Sequence, residues 1–238
     1  MAGTYTLPGV LLSGVHSSRP AASAVASGTL YAETDTGQTY QSDGVSTWTA
    51  WGAVAGGGGG GGGALVLLEQ HTASTSATLD FTTAISSTYD DYMIEVLNVL
   101  PVTNTVDLVM EVSTDGGSTW DTTSGHYSWE AMRSNTSGSS SSGSTSASGI
   151  TVSANTTDHV QNDANNGGVH GSFRLIAPGS AIYKYLFGNV SLYYGSAWVT
   201  AFIGGRYLQT AAVNALRFLF SSGDIASGTI RVYGVAKV

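Results

Sequence analysis

Residues 106–113, "VDLVMEVS", decide the reading of the fold. Val106, Leu108, Met110 and Val112 fall on one face of an extended chain, and Asp107 and Glu111 fall on the other. Side chains alternate across a strand, so this period of two marks a half-buried β-strand; a helix would space its apolar residues three and four apart. Upstream, "DYMIEVLNVL" places Tyr92, Ile94 and Val96 on one side and Met93, Glu95 and Leu97 on the other. Downstream, "SFRLIA", "KYLFGNVSLYYG", "AWVTAFIGGRYL", "NALRFLFSSG" and "GTIRVYGVAKV" continue in the same style. Turn signals such as "TDGGST", "APGS", "YGSA" and "SGDIASG" separate them. The expectation is an all-β protein in which residues 64–238 form an antiparallel β-sandwich of roughly eight strands with jelly-roll topology. "AWVTAFI" is apolar on both faces and therefore needs cover on both, which a subunit interface would supply.

Composition agrees. Charged residues make up 10% of the 238, against roughly 25% in an ordinary soluble domain. The solvated surface must then be built from Ser, Thr, Asn and Gly, which disfavour helices. A formal charge of -8, with lysine only at Lys184 and Lys237, argues against a nucleic-acid partner, because phosphate binding needs clustered cations. The chain has no cysteine, which excludes disulfides and thiolate chemistry. The start "MAGTYTLPGV" shows no signal peptide, and no apolar run reaches the length of a membrane span.

Three regions separate along the chain. Residues 1–55 hold an extended arm, "LPGVLLSGVHSSRPAASAVASG", followed by a small β unit in which "TLYAET", "QTYQS" and "STWTAW" read as three strands joined by "DTG" and "SDG" turns. Tyr31, Tyr40, Trp48 and Trp51 are the large side chains that unit can bury. It is too small to be self-sufficient without disulfides or metal, and should lean on a copy of itself or on a neighbouring protein. Residues 56–63 are all glycine, either a flexible linker or a tract packed around a symmetry axis. Residues 133–149, "RSNTSGSSSSGSTSASG", have nothing to bury and read as a long exposed loop, either a recognition element or an idle tip.

Catalytic chemistry finds little support. No nucleophile elbow, P-loop or H-E-x-x-H motif is present, and no two of the five histidines sit at a metal-binding spacing. "DHVQNDANNGGVH" gathers Asp158, His159, Asp163 and His170, either a cation site or a polar loop. The expectation is a protein without cofactor, metal or enzymatic activity. Aromatics are the better functional candidates: Trp120, Tyr127 and Trp129 beside the Ser-rich stretch, and Tyr193, Tyr194 and Trp198 around the turn "YYGSAW". Exposed, such rings stack on sugars while neighbouring polar groups bond the hydroxyls; buried, they are core.

The stretch "SRPAASAVASGTLYAETDTGQTYQSDGVSTWTAWG", residues 18–52, resembles a short module of bacteriophage virion proteins, found in tail fibres, tail-tip proteins and other appendages. Arg19, Pro20, Gly28, Thr29, Leu30, Tyr31, Thr34, Asp35, Thr36, Gly37, Tyr40, Ser42, Asp43, Gly44 and Trp48 match its pattern. More loosely, "EVSTDGGSTWDTTSGHYSW" and "SGTIRVYGVAKV" resemble the C-terminal domains of phage appendages. The resemblance implies a virion structural protein: a homotrimeric tail fibre or tail-tip adhesin, attached to other virion proteins through its N-terminal part and presenting its sandwich to a host surface glycan or protein. A capsid decoration protein or head fibre is the alternative. A polysaccharide depolymerase is the enzymatic one, without the β-helical rung repeats that such enzymes commonly show.

Overall fold

Strands account for the regular structure of both parts of the chain. The computed structural model describes residues 11–35, 38–50, 65–153 and 158–236. It divides into two compact units, Met1–Gly60 and Gly61–Val238. Trp51 and the poly-Gly tract lie outside the described residues.

In the N-terminal unit, β1 (Leu11–Gly14), β2 (Leu30–Glu33), β3 (Thr39–Ser42) and β4 (Trp48–Ala50) form one sheet in that order. Sequence alternation indicated the last three. The fourth comes from the arm, whose Leu11–Gly14 segment pairs in parallel with Leu30–Glu33. A parallel pair needs a crossover, and residues 15–29 supply it through two short 3-10 turns, His16–Ser18 and Ala22–Ala24. Those turns lay hidden in a segment without hydrophobic period.

The C-terminal unit contains β5 (Leu65–Ser76), β6 (Leu79–Phe81), β7 (Asp91–Pro101), β8 (Leu108–Ser113), β9 (Tyr127–Asn135), β10 (Gly138–Ala147), β11 (Ile150–Thr151), β12 (Val169–Ile176), β13 (Lys184–Tyr194), β14 (Ala197–Tyr207), β15 (Ala215–Phe220) and β16 (Ile225–Val235). An eight-stranded sheet runs β10-β9-β14-β13-β12-β7-β16-β5, and a four-stranded sheet runs β11-β8-β15-β6. Setting aside the hairpins β9–β10 and β13–β14 leaves β5-β16-β7-β12 and β6-β15-β8-β11. Successive strands there pass from sheet to sheet except from β8 to β11, and the first strand pairs with the last. This is the two-sheet jelly roll, and the two hairpins widen one of its sheets.

The face called from "VDLVMEVS" is the core face: Val106, Leu108, Met110 and Val112 are all at most 4% exposed. They join Tyr92, Ile94, Val96, Phe173, Phe218 and Ile203 in one continuous core. Burial of each such side chain contributes about 1.5–3 kcal/mol. Where β14 passes over β11 the approach is so close that a Cβ on Gly205 would stand 2.7 Å from Ile150 Cγ2, so the bare backbone is what lets the widened sheet close over β11. Lys184, almost fully buried, donates from Nζ to the carbonyls of Ser180 and Ile182 at 2.6 Å and of Thr210 at 3.2 Å, pinning two loops together. Burial pushes its pKa below the ordinary lysine value.

Residues 133–149 correct the sequence reading. They are no loop: the end of β9 and the whole of β10 form an antiparallel hairpin, with Ser139 opposite Ser134 and Ser142 opposite Ala131. β10 is the outermost strand of the large sheet, and most of its residues are exposed. Only Ala147, at its end, packs against the core; along the rest of the strand backbone pairing with β9 dominates, and serine satisfies both wet faces.

Candidate functional site

The six aromatics proposed for receptor contact separate. Tyr127 is fully buried and Trp129 is 7% exposed, so both are core residues and correct the expectation of surface contacts there. The Tyr127 hydroxyl donates to the Asp121 carbonyl at 2.7 Å and accepts from the Val112 amide at 3.1 Å. Trp120 is half-buried and lies over the Arg217 guanidinium, 4.3 Å from ring centroid to Cζ. The other three converge on the β13–β14 hairpin. Tyr193 pairs with Trp198 across it, Trp198 is 51% exposed, and the half-buried Tyr194 turns its ring edge to His159.

Two surfaces surround that hairpin. The first is a polar dent of about 310 Å³ between the β9–β10 turn and the β13–β14 turn, lined by Arg133, Asn135, Ser139, Asp158, Tyr194 and Ser196 among others. Its fixed point is an ion pair, Arg133 Nε to Asp158 Oδ2 at 2.6 Å, with the Asp158 side chain 5% exposed. A paired, near-neutral polar floor with a phenol at one side offers hydroxyl-bonding groups and an aromatic edge together, the combination that recognises sugars.

The second surface is an apolar trough on the outer face of the large sheet. One stretch, about 530 Å³, is lined by Met132, Ser141, Asn189 and Phe202, and its continuation, about 440 Å³, by Glu130, Tyr185, Phe187, Gly204 and Arg206. Strand register explains the row: Phe202 lies opposite Met132 on β9 and Asn189 on β13, and Gly204 lies opposite Phe187. Sequence reading located this surface only through the two-sided pattern of "AWVTAFI"; Met132, Tyr185 and Phe187 were not singled out.

Below the hairpins a polar network closes the sandwich. Asp121 Oδ2 lies 2.7 Å from His126 Nδ1 and accepts from the Tyr207 hydroxyl at 2.7 Å. Burial pushes the Asp121 carboxyl up, but the hydrogen bonds from His126 and Tyr207 outweigh it and hold the pKa at about 2. Burial, together with the bond to Asp121, lifts the Tyr207 phenol above its ordinary value. A hydroxyl that donates to the carboxylate and resists ionisation is no nucleophile, so this Asp–His pair acts as a clamp. The ligands suggested in residues 158–170 also disperse: Asp158 pairs with Arg133, His159 Nδ1 meets Asp107 Oδ1 at 3.0 Å, and Asp163 caps the 3-10 turn Ala164–Asn166. Among the described residues no three potential metal ligands cluster.

In the N-terminal unit, Tyr40 and Trp48 flank Arg19. Its guanidinium carbon lies 4.0 Å from the Tyr40 ring centroid and 5.9 Å from that of Trp48. Tyr31 meets Trp48 edge-on at 5.9 Å. Trp48 Nε1 donates to the Pro20 carbonyl at 2.8 Å, and Ser42 Oγ to that of Ala22 at 3.1 Å. Asp43 Oδ1 accepts from the amides of Val45, Ser46 and Thr47. These bonds, led by those from Thr47, hold its pKa far below the carboxylate range. Gly44, at φ +74, completes the turn. Compared with protein-family models, curated proteins and solved structures, the chain matches none.

Proposed function

We propose that this chain is a bacteriophage virion structural protein: a homotrimeric tail-fibre or tail-tip adhesin that attaches through its N-terminal unit and presents the jelly roll to the host surface. One observation carries the reading. Eight of the fifteen residues matching the virion module, Arg19, Pro20, Tyr31, Tyr40, Ser42, Asp43, Gly44 and Trp48, make contacts that hold the small unit together. Arg19 lies over Tyr40 and beside Trp48, which Tyr31 meets edge-on, Pro20 and Ser42 tie the crossover to the sheet, and Asp43 and Gly44 build the turn. These packing roles support reading the match as more than loose composition. At the other unit, the polar dent beside Tyr194 supports a saccharide as the surface ligand. Immunogold labelling of purified virions tests the reading. Label on the tail is expected; label on the head replaces it with a decoration protein or head fibre, and a virion without the chain overturns it.

A further inference from the structure

The apolar trough on the outer face of β9, β14 and β13 needs an occupant. Met132 is 67% exposed, Phe202 57%, Tyr185 46% and Phe187 42%. Together these side chains form a contiguous patch of the kind that marks an interaction surface. Gly204 sits among them with nothing within 4 Å of the place where its Cβ would be, leaving an open floor between the rings.

We propose that this trough is the self-association surface of the protein, filled by the same region of a second copy of this chain. The charges select that occupant. Elsewhere on the outer face they are neutralised within the chain: Arg174 pairs with Asp91, and Arg231 with Glu95. Glu130 and Arg206, at the edge of the trough, have no ion-pair partner among the described residues. Arg206 is steadied by a bond from its Nε to Ser128 Oγ at 3.3 Å. One spare anion and one spare cation beside an apolar seat complement a rotated copy of the same face. Glu130 of one copy meets Arg206 of the next while Phe202 enters the space over Gly204. A basic or acidic foreign partner would leave one of the two charges facing its own sign. The inference rests on the homotrimer proposed above and names the face that builds it.

Sedimentation and native mass measurement of the full chain test it, with circular dichroism as the check on folding. Phe202→Asp places a charge in the seat of an exposed residue, and should leave the fold intact and the chain monomeric. Glu130→Arg alone should weaken association at least tenfold, and Glu130→Arg with Arg206→Glu should recover most of that loss. A folded Phe202→Asp protein that stays oligomeric, or a charge exchange that restores nothing, overturns the interface while the virion reading stands. A monomeric wild-type chain overturns the interface and the trimer together, and immunogold labelling still decides the virion reading independently.

Discussion

Arg19 reaches the buried carboxylate of Glu33 at 3.3 Å, joining the arm to β2 from beneath the rings of Tyr40 and Trp48. His16 Nδ1 approaches the same carboxylate oxygen at 2.7 Å. Removing one partner of a buried pair typically costs about 3–5 kcal/mol, and a unit this small has little stability to lose. Arg19→Ala should therefore unfold the N-terminal unit while the jelly roll keeps its melting temperature. Arg19→Lys should also loosen it, since an ammonium cannot stack flat on Tyr40. Limited proteolysis read by mass spectrometry checks this. Unchanged protection of residues 11–50 in Arg19→Ala would show that the ion pair is not what closes the unit.

The Asp121 clamp predicts an acid-sensitive stability. Its folded pKa, about 2, lies below the ordinary aspartate value of about 3.9, so its contribution is complete above about pH 4 and is lost as the pH falls toward 2. Tyr207→Phe removes one of the bonds that depress it. The loss should be about 1–2 kcal/mol at pH 7 and should shrink steadily below pH 4. Urea midpoints at pH 7, 4 and 2.5 measure the difference. A Tyr207→Phe penalty that stays constant with pH would mean that packing, not the bond to Asp121, is what the phenol contributes.

Much of this fold was legible because its strands are half-buried. "VDLVMEVS" reads correctly since the apolar core lies on one side of β8; the jelly roll was expected from the apolar segments and turns, but with roughly eight strands where the unit has twelve, β5–β16. β10 was illegible for the opposite reason: with almost no core beneath it, "GSSSSGSTSA" carries no alternation, and its pairing with β9 is written in backbone hydrogen bonds. β1 was missed because "LLSG" neither alternates nor is joined to β2 by a tight turn; its partner lies across the fifteen-residue crossover 15–29. The site was read in part. Tyr193, Tyr194 and Trp198 belong to a surface hairpin, but Tyr127 and Trp129 point inward. Their direction was legible: Tyr127, Trp129 and Ala131 alternate with Ser128 and Glu130, a period of two that marks the aromatic face as the core face.

The outer face of the small sheet carries a cross-strand ladder in which Arg217 on β15 lies between Glu111 on β8 and Asp80 on β6. Arg217 Nε is 3.1 Å from Asp80 Oδ1, whereas its Nη1 is 3.8 Å from Glu111 Oε2. Glu111 Oε2 has no hydrogen-bond partner among the described residues. Burial raises the Glu111 pKa despite the opposing pull of Arg217, so its ionised form is a cost to the native state at neutral pH. Glu111→Gln should be neutral to stabilising at pH 7, by up to about 1 kcal/mol, and the gain should fade on acidification as Glu111 itself becomes protonated. Thermal melts at pH 7 and pH 4 check this. A loss of stability at pH 7 would show that the attraction of Arg217 outweighs the desolvation.

Trp198 and Trp129 separate binding from folding. On the adhesin reading proposed above, host adsorption is the readout: Trp129 belongs to the core, and Trp129→Ala should cost about 3–5 kcal/mol, lowering adsorption only because folded protein is lost. Trp198 is half exposed on the outer face of the hairpin whose turn borders the polar dent, and it is not part of the core. Trp198→Ala should leave the melting temperature within a few degrees of wild type yet reduce adsorption of virions carrying it. Tyr194→Ala should also reduce adsorption, with a larger stability loss than Trp198→Ala because its ring packs against the core and meets His159. Adsorption rates measured alongside thermal melts decide between the two effects. If Trp198→Ala and Tyr194→Ala virions adsorb at the wild-type rate, the hairpin is not the receptor contact and the dent has another use.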